Sequence, residues 1–330
     1  MRSPLSALGR LLAVLPLLTM ACAARQSSLA NSPEATIDSS SIRALWNFSD
    51  PAGSAQRFEA RARETEDPVR GELETQLARA LGLQGKFAEA NTVLDRIEAR
   101  LPEPPDKLKV RLLLERGRCL NSSGSPDAAR PLFVEAWDRA RAAGIDDLAV
   151  DAAHMVAITD HGQQALDWNF RALVLANSSP SPDARRWRTS LFNNIAWTYQ
   201  DAGDYAKALD YFQQALAESK LGTDRNATRI GEWSVGRALR SLGRNAEALE
   251  IQLQVEKECA ADGKPDGEVF EEIAENLLTL GRDREAAPYF AQAYDLLSRD
   301  PDVAGTQQGR LDRLRSLGAG ASEQAPASTP

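Results

Sequence analysis

The sequence predicts an all-α fold in which helix pairs stack side by side around a continuous core. Three observations carry this reading. Ala, Leu, Arg and Glu dominate the 330 residues, aromatics contribute only 6%, and β-branched runs are scarce, a composition that favours helix over strand. Apolar residues recur at helical spacing, in stripes separated by Gly85, Gly124, Gly203, Gly243 and Gly281. The stripes share one register along most of the chain, the sign of an internal repeat. The formal net charge of -8 provides no basic footprint, so nucleic acid is not an expected partner.

Residues 1–21 read as an export signal. Arg2 and Arg10 are positive, Leu11 to Leu18 form a short apolar stretch, and Ala21, Cys22, Ala23 and Ala24 follow. That stretch is too short for a bilayer span, and no later segment reaches the roughly 20 apolar residues a span needs. Leu18-Thr19-Met20-Ala21-Cys22 resembles a bacterial lipobox. The resemblance implies cleavage before Cys22, acylation of Cys22, and a cell-envelope protein on the outer membrane or cell surface that meets the membrane through its lipid alone. Cleavage after Ala23 would instead yield a soluble periplasmic or secreted protein. Residues 22–41, rich in Ser and Ala, read as a flexible tether.

Residues 42–66 are expected to form an N-terminal cap or half-unit, and 67–300 the repeat array. The clearest unit is 189–222, where Phe192, Ile195, Ala196, Tyr199, Gly203, Tyr205, Ala208, Phe212 and Ala215 occupy positions 4, 7, 8, 11, 15, 17, 20, 24 and 27. Positions 4, 7, 8 and 11 make one helical stripe, positions 20, 24 and 27 a second, and the glycine turns the chain between them. Small residues at 8 and 20 let the two helices cross closely. The register recurs at 71–104 (Ala78, Gly85, Ala90, Leu94), 110–143 (Gly117, Gly124, Ala129, Phe133), 229–262 (Gly236, Gly243, Ala248, Val255) and 267–300 (Ala274, Gly281, Ala286, Phe290). In 146–179, Asp160 replaces the turn glycine and Asn169 stands where a large apolar residue belongs. Residues 301–317 are expected to form a C-terminal capping helix, since a solenoid must cover its ends, and 318–330 a disordered tail.

This pattern resembles the tetratricopeptide repeat (TPR) over about residues 67–300. Turn-to-turn spacings of 36 to 43 residues, against about 34 in the standard unit, resemble the lengthened repeats of kinesin light chains and some bacterial regulators. The resemblance implies a right-handed α-solenoid of about six TPR-like helix pairs. It also implies a function in binding proteins.

No catalytic constellation is evident. His154 and His161 are the only histidines, and the register puts His161 in a turn, so a metal site with Asp160 is disfavoured. Phosphate-binding glycine motifs are absent. Cys119 and Cys259, in different repeats, are expected to be buried thiols rather than a disulfide. No enzyme activity, metal or cofactor is expected.

In tetratricopeptide proteins the first helices of successive repeats line a concave groove through positions 2, 5, 9, 12 and 13. Carried over, these positions offer Arg79, Arg118, His154, Asn193, Trp197, Gln200, Trp233, Arg237 and Arg240. Arg and Trp are enriched at binding hot spots, so the expected partner is a protein or peptide segment, of acidic character where the arginines would grip it. Interhelix packing of the tryptophans and local ion pairing of the arginines are the competing readings. The leading function is a scaffold or adaptor in the cell envelope. An accessory subunit of a secretion, pilus or outer-membrane assembly complex is the alternative, and an enzyme with an unrecognised site ranks below both.

Overall fold

The computed structural model describes residues 37–319. Two helices lead, α1 (Ser39–Ala44) and α2 (Pro51–Arg63). Six pairs follow: α3 (Val69–Gly82) with α4 (Phe87–Arg100), α5 (Asp106–Ser122) with α6 (Pro126–Ala142), and α7 (Asp146–Thr159) with α8 (Gly162–Ser178). After the short α9 (Pro182–Arg185) come α10 (Arg188–Asp201) with α11 (Tyr205–Ser219), α12 (Arg225–Ser241) with α13 (Asn245–Ala261), and α14 (Gly267–Thr279) with α15 (Asp283–Leu297). The array closes with α16 (Pro301–Thr306) and α17 (Gln308–Ala319). There is no strand among the described residues. The fold is the expected all-α solenoid of six pairs.

The close crossings fall where the small residues are. Ala78, Ala153, Ala196 and Ala274 on first helices, and Ala90, Ala129, Ala208 and Ala248 on second helices, are fully buried. Gly117 takes that role in the second pair, where a Cβ would come within 2.4 Å of the Phe133 ring. Phe133, Phe212 and Phe290 fill the space beside these contacts and are themselves at most 1% exposed. Between α10 and α11, Gly203 has φ +77, and the Asp204 amide closes back on the Tyr199 carbonyl at 2.9 Å. Only glycine enters that left-handed region without steric cost.

The third pair solves its turn differently. Asp160 ends α7 in an extended conformation, and the positive φ passes to Gly162, two residues later. The Asp160 carboxylate accepts both Arg130 Nε at 2.7 Å and Arg130 Nη2 at 2.9 Å. Asn169 is buried at the position expected for a large apolar side chain.

The ends differ from expectation in extent. The tether expected over 22–41 does not continue through 37–41: Asp38 caps α1 and Ile42 packs with Phe58, Ala62 and Leu73. The single capping helix expected over 301–317 is two helices, and the second continues through Gly318 and Ala319, so the tail cannot begin at 318. Gly318 is drawn into the fold because its missing side chain allows the backbone to lie against Ala291. Leu311 and Leu314 bury themselves against the last pair. Arg310 bonds Glu268 and Glu271 of α14, and Arg313 bonds Glu275. The expected signal 1–21, Cys22 and residues 320–330 lie outside the described residues. No described helix is long and apolar enough to cross a membrane.

Candidate functional site

Equivalent places on successive first helices carry Arg79, Arg118, His154, Trp197 and Arg237. The proximal part of this face is ionic. Arg118 donates to Glu115 on its own helix and to Asp151 on α7. Burial alone would raise both carboxyls. It does so for Glu115, whereas the Arg118 and Arg79 guanidinia overcome it at Asp151 and hold that group below the usual range. Those two carboxylates in turn keep Arg118 more firmly protonated than an ordinary arginine despite its burial.

His154 sits next in the row. Its Nδ1 lies 3.0 Å from Asn194 Nδ2, and its ring is 5.1 Å from that of Trp187. Burial, reinforced by the Arg118 and Arg79 charges against the opposing pull of Asp151, pushes its pKa down to about 4. A neutral imidazole can accept at Nδ1 from the Asn194 amide. His161 is exposed in the interhelical turn and does not join it, and no group of metal-ligating side chains occurs among the described residues.

The distal part, on α10 and α12, is aromatic and amide-bearing. The Trp197 and Trp233 rings lie 6.1 Å apart across the two helices, with Phe212 edge-on to Trp197 at 5.1 Å. Gln200 Nε2 donates to Ser241 Oγ at 2.7 Å. Gln200 Oε1, Trp233 Nε1 and Arg237 Nε are buried without a hydrogen-bond partner. A cavity of about 400 Å³ opens beside Trp233, lined also by Arg229, Ile230, Cys259, Asp266 and Val269. Asn193 is half-buried and makes no side-chain hydrogen bond among the described residues.

The arginines depart from the expected role. Arg237 Nη1 and Arg240 Nε and Nη2 all bond the carboxylate of Glu272, itself 1% exposed, at 2.6, 2.7 and 2.9 Å. Together with the Arg118 pairs, three of the four proposed acid-gripping cations are ion-paired within the chain, Arg237 and Arg240 sharing one carboxylate. Desolvation makes an internal carboxylate on the next helix a natural partner for a half-buried guanidinium. Arg79 alone makes no direct ion pair among the described residues, although the Glu115 and Asp151 charges act on it through space; its guanidinium lies 5.9 Å from the centroids of both Trp46 and Phe48.

Sequence reasoning missed the N-terminal residues that share this face. Trp46 and Phe48 stack at 4.6 Å with an interplanar angle of 3°, and Trp46 Nε1 donates to Gln76 Oε1 at 3.1 Å. Lys107 Nζ donates to the Ile37 carbonyl at 2.7 Å, Ser39 Oγ to Asp147 at 3.3 Å, and Arg43 to Asp183. Residues 37–46 thus bridge α3, α5, α7 and α9. The only local signal was an aromatic pair, Trp46 and Phe48, in an otherwise polar stretch.

The tetratricopeptide repeat family pattern matches residues 187–257, which hold the fourth and fifth pairs. No curated protein matches the chain. Among solved structures, the apo form of RapI is similar with a TM-score of 0.66 at 10% identity, covering 86% of this chain and 80% of that one. The complex of NprR with its cognate peptide NprX gives 0.53 at 15%, covering 88% and 87%. A STAND protein with a tetratricopeptide repeat sensor from Pyrococcus horikoshii gives 0.65 at 12%, covering 86% of this chain and 46% of that one. These likenesses are of fold, and the sequence match lies over the aromatic half of the array.

Proposed function

We propose that this solenoid of TPR-like pairs is a non-catalytic scaffold that binds a segment of another protein along α10 and α12. One observation carries the reading: Gln200 Oε1, Trp233 Nε1 and Arg237 Nε are an acceptor and two donors, buried and unpaired on neighbouring first helices. Buried polar groups without partners are costly, and an extended backbone, which alternates N–H and C=O, supplies the complements of both kinds. The Trp197 and Trp233 rings add apolar area at low entropic cost, and the cavity beside Trp233 accepts an anchoring side chain. That NprR, of similar fold, is known in complex with a cognate peptide supports a peptide-like ligand.

The scaffold works in the bacterial cell envelope, held by acylation of Cys22. The support for this is the Leu18–Cys22 motif alone, and incorporation of a palmitate analogue that Cys22→Ser abolishes tests it. For the binding face, a photo-crosslinking amino acid is placed in the full-length protein in its native cell at Gln200 or Trp233, and at exposed Val174 as control. A discrete adduct at the first two sites and none at Val174 is expected. Equal labelling at all three would remove the assignment.

A further inference from the structure

Trp46 and Phe48 form a fixed aromatic wall beside Arg79. Ile42, Leu45 and Trp46 pack with Phe58, Ala62, Leu73 and Leu77. Arg57 Nε donates to the Leu45 carbonyl at 2.8 Å, and the Asn47 amide donates to Ser54 Oγ at 2.9 Å. Phe48 extends from this anchored stretch and is 61% exposed. Trp46 lies parallel to it, with an interplanar angle of 3°, and so covers one face of its ring; the exposed face is the other one. A cation resting on that outer face would be nearer to Phe48 than to Trp46. The Arg79 guanidinium is 5.9 Å from both centroids, so it lies alongside the stack and leaves the outer face of Phe48 free.

Arg79 also differs from the cations around it in having no bonded counter-charge. Lys107 and Arg111 share Glu72, and Arg118 takes Glu115 and Asp151. The half-buried Arg79 makes no hydrogen bond or ion pair among the described residues, and none of its nitrogens is sealed from solvent. The charges that act on it most strongly are two cations, Arg118 and Arg111, and two carboxylates, Glu115 and Asp151. These offset one another, so the charge of Arg79 itself stays uncompensated. Burial first, and Arg118 next, hold its pKa below that of an ordinary arginine. A guanidinium withdrawn from water without an acceptor is costly, and an anion that reached it would relieve that cost.

We propose that Arg79 and the outer face of Phe48 form a subsite for an acidic residue of the partner segment that lies two positions from an aromatic one. The carboxylate accepts from the guanidinium fork, the geometry that favours two parallel charge-assisted bonds. The ligand ring stacks offset on the open face of Phe48, whose other face is already backed by Trp46. The spacing follows from the wall: in an extended segment, residues two apart share a face and stand about 6.7 Å from each other, close to the 5.9 Å between the Arg79 guanidinium and the Phe48 centroid. Arg118, Arg237 and Arg240 occupy equivalent faces but have carboxylates of their own, so selection for an acidic residue falls to Arg79.

This inference rests on the scaffold reading for the nature of the ligand, and it concerns the opposite half of the array from Gln200 and Trp233. The probe is the tripeptide acetyl-Asp-Ala-Phe amide, titrated through the millimolar range at constant ionic strength into the full chain carrying Cys22→Ser. NMR follows the Arg79 Nε–H group, assigned by its loss in Arg79→Lys. A saturable shift of that signal is expected. Acetyl-Asn-Ala-Phe amide and acetyl-Asp-Ala-Ala amide should each bind the same protein about tenfold more weakly. In the chain, Phe48→Ala should weaken the parent tripeptide to a similar degree while the thermal unfolding midpoint stays in place. Absence of a saturable shift, or equal affinity for the Asp and Asn probes, would overturn the proposal, and neither outcome depends on a variant folding. Crosslinking at Gln200 and Trp233 does not involve Arg79, so its result separates a failure of this subsite from a failure of the scaffold reading.

Discussion

Glu272 of the sixth pair holds two arginines of the fifth: Arg237 at 2.6 Å and Arg240 at 2.7 Å converge on one buried carboxylate. The three side chains form a latch between adjacent repeats. Glu272→Ala should lower stability by about 2 kcal/mol, less than for a fully buried triad because both guanidinia can turn to solvent. Urea denaturation reads this as a lower midpoint with little change in slope, and Glu272→Gln should recover part of the loss. A midpoint unchanged by Glu272→Ala would show that the latch contributes nothing.

Gly117 is required by its neighbour, not by its backbone. It lies inside α5, where alanine is intrinsically better by about 1 kcal/mol, yet its Cβ would strike the fully buried Phe133 ring. Overpacking outweighs propensity, so Gly117→Ala should destabilise by about 1–2 kcal/mol. Gly117→Ala combined with Phe133→Leu should be less damaging than the two single effects summed, which a double-mutant cycle measures.

His154 gives the array a pH dependence of defined sign. Its folded pKa of about 4 lies below the value of about 6.5 for an unfolded chain. The unfolded state therefore binds a proton first as pH falls. Stability present above pH 6.5 is progressively lost towards pH 4, by up to about 3 kcal/mol. His154→Gln should keep a bond to Asn194 and flatten the stability profile across that window; parallel profiles for the two proteins would refute the assignment.

The C-terminal cap is fastened by charge. Arg310→Glu with Arg313→Glu should repel Glu268, Glu271 and Glu275, undock α17 and bare Leu311 and Leu314. Hydrogen exchange should then show the amides of 308–319 losing most of their protection while those of α10 keep theirs. Protection retained in 308–319 would mean that apolar packing alone holds the cap.

Much of the fold was legible because each repeat obeys the same steric rule: small residues where helices cross, large ones beside them, glycine at the turn. The third pair was harder to read because its positive φ sits at Gly162, two residues past the expected place. The site was legible only in part. Register identifies which residues share a face, but not which of them find partners there. Arg118 and Arg237 occupy ligand-facing positions by count, yet each meets a carboxylate from the next helix, a pairing between residues 33 to 35 apart that periodicity does not encode. The segment 37–48 escaped notice for a related reason. It belongs to no repeat, and its aromatic pair gains meaning only when Arg79 lies beneath it.

The segment 37–48 also bears on how the molecule responds to force. Its contacts at Gln76, Lys107, Asp147 and Asp183 tie together three successive first helices, α3, α5 and α7, and the short α9. Pulling on the two ends of a coiled array straightens it and draws those helices apart, as extending a spring separates its turns. A strut laid across those helices resists that movement and yields first. The N-terminal half should therefore be stiff at small extensions and compliant once the strut lets go, while the half built on Trp197 and Trp233, which has no such brace among the described residues, stretches from the outset.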